Sequence, residues 1–96
     1  AKQNEKIEKT NILETLFENW WKDYRDADRR IQLYHSQLEL ANKSLNLLET
    51  QYATGNSNFE ELLRMERKVL KYNLELEKAR ADKQAAISSI TYLMGN

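Results

Sequence analysis

Cysteine is absent from this 96-residue chain, which excludes a disulfide framework and any thiolate metal site. It leaves the compartment open, an oxidising one included. Proline is absent as well, and there are only two glycines, so nothing in the composition forces frequent turns or kinks. Net charge is also missing: 15 Lys+Arg balance 15 Asp+Glu, and no overall field recruits nucleic acid or an anionic membrane. No apolar run approaches the roughly 20 residues that span a bilayer, and no signal-peptide pattern opens the chain. What remains is 31% charged and 41% hydrophobic, the composition of long helices or coiled coils. The chain opens Ala1-Lys2 without Met, and is read as a mature or excised segment.

Apolar spacing predicts two helices, over about 5–54 and about 58–94. In the first, Leu13, Phe17, Trp20, Tyr24, Ala27, Ile31, Tyr34, Leu38, Ala41, Leu45, Leu48 and Tyr52 alternate in steps of four and three. That 3.5-residue period keeps one stripe on a partner along a left-handed supercoil. Leu33, Leu40 and Leu47 form a side stripe at intervals of seven. In the second helix, the seam is Leu62, Met65, Val69, Tyr72, Leu76, Ala79, Lys83, Ala86, Ile90 and Leu93, with Lys83 as its one break. Leu63, Leu70, Leu74 and Ala81 fall off that seam and widen the apolar arc. The pairs Glu18→Lys22, Asp26→Arg30, Glu39→Lys43 and Glu60→Arg64 stand at i,i+4 in the favourable order.

The stretch Tyr52–Leu63 interrupts this pattern and predicts a turn at 55–57. Gly55 suits the left-handed position after a helix, where a Cβ is penalised. Ser57 or Asn58 then caps the next helix, since Ser57-x-x-Glu60 and Asn58-x-x-Glu61 both read as capping boxes. So short a connection makes the helices antiparallel neighbours. The fold class is therefore all-α, an antiparallel two-helix coiled-coil hairpin occupying 1–96 as one unit. The first helix reaches ~80 Å and the second ~55 Å at ~1.5 Å per residue, leaving a polar overhang, Ala1 to Ile12, that frays in isolation. Two helices cannot bury a wide apolar arc on each, so self-association into a helical bundle or docking to other helices is expected.

Chemistry-bearing residues are sparse. His35 is the single His, with Ile31 and Glu39 at i±4, and reads as a surface or interface residue rather than a metal ligand. The mixed-sign cluster of Asp23, Arg25, Asp26, Asp28, Arg29 and Arg30 reads as a solvated face, with a pore lining or the binding of a charged partner as the sharper alternatives. Trp20 and Trp21 are assigned to core or interface packing. Glu60 and Glu61 are adjacent, so a helix points them about 100° apart, and with Glu66 they make no catalytic pair. No Ser/His/Asp set, phosphate loop or zinc spacing is present. The chain is read as a non-enzyme without a cofactor or metal.

Around the turn, Tyr52-x-x-Gly55, then Asn58-Phe59-x-Glu61-Leu62-Leu63, then a long helix ending Leu93-Met94-Gly95-Asn96, resembles the periplasmic helical hairpin of TolC-like outer-membrane efflux proteins. The upstream Gln32-Leu33-Tyr34 and Leu40-Ala-Asn-Lys-Ser-Leu45 are similar to the descending helix of the metal-efflux-like branch. The resemblance covers roughly residues 12 to 96. Trp20-Trp21 and the absence of a proline in the first helix depart from the family's pattern. The resemblance implies an α-helical tunnel, trimeric in the full-length family, periplasmic and part of an outer-membrane protein of a Gram-negative bacterium. It implies passive conduction, an inner-membrane pump as the energy source, and a periplasmic adaptor protein as partner. Tyr52, Gly55, Asn58, Phe59, Glu61 and Leu62 are carried over as the tip that such a partner meets. The alternatives are the coiled-coil hairpin of an adaptor, whose usual Arg-x-x-x-Leu tip is missing here, and a generic structural coiled coil.

Overall fold

The structure, a computed structural model, describes residues 2–56 and 58–95, with side chains described from Glu8 onward. It consists of two helices, α1 (Lys2–Ala53) and α2 (Phe59–Met94), packed on one another. The hairpin measures 78 × 20 × 13 Å, two helices across where α2 faces α1. No strand occurs among the described residues, and no helix among them is long and apolar enough to cross a membrane. The antiparallel all-α hairpin expected from the seams is the fold.

The seams face each other, but the core they make is thin. Ala27, Ala41, Leu62, Leu76, Ala79 and Ala86 are buried, and four of these six are alanines. Alanine at the contact lets two backbones approach closely, while contributing little apolar area. Larger seam residues from Trp20 to Leu48 are only half-buried, because a lone pair of helices wraps each side chain on one side. Tyr34 and Tyr72 meet across the seam with ring centroids 6.3 Å apart.

The start of the predicted α1 seam is not covered. Leu13 and Phe17 are exposed, since 52 residues of α1 outrun 36 of α2 and about the first four turns of α1 have no facing helix. The helix is continuous from Lys2 through the overhang. Trp21 also stands outside the core: it is 46% exposed and stacks on Tyr24 at 5.4 Å. The side stripes lie open, with Leu33, Leu40 and Leu47 on α1 and Leu70 and Leu74 on α2 all exposed.

Of the expected i,i+4 ion pairs, Lys43–Glu39 forms at 3.7 Å. Asp26 pairs with Arg29 instead of Arg30, because Arg30 crosses to α2 and meets Asp82 at 2.7 Å. Glu18–Lys22 and Glu60–Arg64 are not among the ion pairs of the described residues. Lys83, the break in the α2 seam, is accommodated by chemistry rather than packing. Its Nζ donates to Asp28 Oδ1 at 2.9 Å and lies 5.5 Å from the centre of the Tyr24 ring. Asp28, Arg30, Asp82 and Lys83 thus form an ionic layer that ties one height of α1 to one height of α2.

Candidate functional site: the hairpin tip

The turn is built by hydrogen bonds at the end of α1. Gly55 N–H donates to the Tyr52 carbonyl at 3.0 Å and Asn56 N–H to the Gln51 carbonyl at 2.7 Å. These are the 5→2 and 6→1 bonds of a Schellman motif, which satisfy two carbonyls that the helix end would leave open. The motif requires left-handed backbone at Gly55, where φ is +79°. A Cβ built there would meet nothing within 4 Å, so glycine is required by the backbone angle and not by space. Thr54 Oγ1 donates to the Gln51 carbonyl at 3.0 Å and accepts from Asn56 Nδ2 at 3.1 Å, tightening the same turn.

The second half of the turn is a helix start. Asn58 is extended (φ −96°, ψ 160°), and its side-chain oxygen accepts from the Glu61 N–H at 2.8 Å. Of the two cap positions that the sequence allowed, Asn58 is the one used; Ser57 lies outside the described residues. Glu60 and Glu61 sit in the first turn of α2, where carboxylates complement the helix dipole.

These bonds bring Tyr52 and Phe59 together across the turn, their ring centroids 6.0 Å apart and inclined by 46°. Both remain on the surface, Tyr52 46% and Phe59 54% exposed. Gly55, Asn56, Asn58 and Glu61 are exposed around them, whereas Leu62 is buried in the seam and anchors the tip from below. The six residues singled out from the sequence therefore divide by role. Gly55 and Asn58 make the turn, Leu62 holds it to the core, and Tyr52, Phe59 and Glu61 present a surface. The tip thus presents an exposed aromatic pair framed by amides.

Elsewhere the described residues offer less chemistry. His35 is exposed, and no group of three or more His, Cys, Asp or Glu converges to hold a metal ion. A shallow groove far from the tip is lined by Trp20, Asp23, Asp26, Arg30, Asp82 and Ala86, where carboxylates and guanidinium groups pair with one another. The sequence reading did not anticipate the ionic layer there. Its signal was available, since Lys83 in the α2 seam stands level with Asp28 in a hairpin folded at Gly55.

Comparison of the chain with family models, with curated proteins and with solved structures yields no match.

Proposed function

We propose that this hairpin is a wall segment of the periplasmic tunnel of a trimeric outer-membrane efflux channel, its tip meeting a periplasmic adaptor protein. The tip carries the reading. Tyr52-x-x-Gly55-x-x-Asn58-Phe59-x-Glu61-Leu62 has the spacing that resembles the hairpin tips of TolC-like proteins. The exposed Tyr52–Phe59 pair at the end of a 78 Å hairpin is compatible with an end-on partner contact. Open leucine stripes along the shaft fit a hairpin that packs beside others in a wall. In this reading the hairpin conducts passively, an inner-membrane pump supplies energy, and the membrane-embedded barrel is another part of the same channel.

The test is binding of the purified hairpin to purified periplasmic adaptor hairpins, measured by calorimetry or pull-down. Phe59→Ala and the charge reversal Glu61→Lys are expected to weaken binding at least about tenfold, a loss typical of interface anchors. Gly55→Pro, which cannot adopt φ +79°, is expected to abolish it. Binding that ignores all three changes, or no binding to any adaptor hairpin, would favour a generic structural coiled coil.

A further inference from the structure

The basic residues of α2 divide into two groups. Lys78, Arg80 and Lys83 are in ion pairs, whereas Arg64, Arg67, Lys68 and Lys71 are in none among the described residues. The four unpaired residues are exposed and fall within about two turns of helix, toward the tip. Glu60 and Glu61 lie below them in the first turn, and Glu75 above them is held by Lys78 at 3.6 Å. The chain is neutral as a whole, so the positive field here is local.

An apolar edge runs beside this patch at the same heights. The contacts Arg30–Asp82, Asp28–Lys83 and Tyr52–Phe59 fix which positions of α1 and α2 stand level. By that offset Leu40 is level with Lys71 and Leu47 with Arg64. Leu40 and Leu47 follow at sevens from Leu33, which lies three residues beyond Arg30. Lys71 and Arg64 stand at sevens before Lys78, which lies four residues before Asp82. Both rows are therefore on the flank of the hairpin where Arg30 meets Asp82. Leu40 is 60% and Leu47 59% exposed. Ser44 is half-buried between the rows, a small side chain at the floor, and Lys68 is level with it to within one residue.

We propose that Leu40 and Leu47 with Arg64, Lys68 and Lys71 form one docking face, and that its occupant is an acidic amphipathic helix of another protein, laid along the shaft. The matched spacing carries it. Seven residues of any helix span ~10.5 Å, so apolar residues seven apart on the partner reach both leucines while carboxylates beside them reach Arg64 and Lys71. A bare polyanion would meet the basic row and leave the leucines uncovered. Because Glu61 and Glu75 close the patch at its ends, the partner's carboxylates are confined to about two turns. The face excludes Tyr52 and Phe59 and needs no adaptor at the tip, so it stands apart from the efflux reading.

Fluorescence anisotropy tests it with a labelled helical peptide of about three heptads, leucine at every seventh position and glutamates beside the central ones. The whole chain is expected to bind it with a dissociation constant below ~100 µM at low salt, weakening at least about tenfold at ~0.5 M salt. Arg64→Glu/Lys71→Glu should weaken binding at least about tenfold, and Leu40→Gln/Leu47→Gln at least about fivefold. A peptide with lysines in place of its glutamates should bind the charge-reversed variant. All four positions are exposed, and circular dichroism reports whether each variant stays helical. For one that does not, Arg64→Gln/Lys71→Gln or Leu40→Ala/Leu47→Ala takes its place. Phe59→Ala should leave this binding unchanged, so failure here and failure at the tip are separate results. No binding at ~100 µM, equal binding of the glutamate and lysine peptides to the wild type, or binding that ignores the leucine changes would overturn the proposal. So would polyglutamate, duplex DNA or phosphatidylglycerol vesicles binding as tightly as the peptide, since none of them presents carboxylates and leucines on one helix.

Discussion

Lys83 and Asp28, 55 residues apart in the chain, meet through a 2.9 Å hydrogen bond at the one charged position of the α2 seam. The ammonium is also set over the Tyr24 ring. A cation in a heptad core lowers stability relative to an apolar residue but penalises every alignment that leaves it without a counter-ion. Lys83→Leu is accordingly expected to raise the melting temperature while weakening the alignment of the helices. Spin labels at exposed positions 36 and 81 would report this as a broadened distance distribution. A distribution as narrow as the wild type's would show that the pair does not set the register.

The same bond predicts a dependence on alkaline pH. The hydrogen bond to Asp28 raises the Lys83 pKa above its ordinary 10.5, with desolvation opposing it and the Asp28 charge adding to it. A folded-state pKa above the unfolded one means that the charged form is favoured in the native state. The contribution is thus complete below about 10.5 and is lost as pH rises through the higher folded value. Other lysines and tyrosines titrate in that range, so the informative quantity is the stability of wild type minus Lys83→Met. That difference should stay constant from neutral pH to about pH 10 and move toward Lys83→Met above it.

Gly55 offers a clean backbone test, because its φ of +79° is demanding while the space around it is empty. Gly55→Ala should destabilise the hairpin by about 1–2 kcal/mol, the cost of a left-handed L-residue. Gly55→Asn should cost less, and D-alanine introduced by synthesis should be neutral or stabilising. Urea denaturation of the three would check this order. Equal losses for L- and D-alanine would locate the requirement in sterics rather than in φ.

Ala27 and Ala79 are fully buried, each at 0% exposure. Ala27→Leu should force the helices apart and cost about 1–3 kcal/mol, in the usual range for overpacking. Ala81→Leu, on an exposed position of α2, should stay within about 0.5 kcal/mol of wild type. A tolerant Ala27 would mean that the helices are not held in close approach.

The hairpin was legible because its signals agree: a four-three seam on each helix broken only at Lys83, a single glycine at the stop, and an Asx cap three residues before a glutamate. The cap position was ambiguous by one residue because Ser57 and Asn58 each offer a side-chain acceptor oxygen with the same glutamate spacing. Exposure was less legible than helicity. Leu13 and Phe17 belong to the seam by period yet have nothing to face, because period specifies a direction around the helix and not the length of the partner. Arg30 likewise left its i−4 aspartate for Asp82, a contact that exists only once the two helices are aligned. At the tip, the turn was readable residue by residue. The partner was not, because an exposed Tyr52–Phe59 pair specifies a surface rather than the molecule that covers it.

The cross-section of 20 by 13 Å has a mechanical consequence. Bending in the plane of the two axes would stretch one helix and compress the other along their hydrogen bonds. Bending across that plane flexes both together and strains little. The hairpin is therefore a ribbon spring, stiff edgewise and compliant flatwise. A small flatwise curvature, accumulated over its 78 Å length, displaces the aromatic end while leaving the alanine contacts intact.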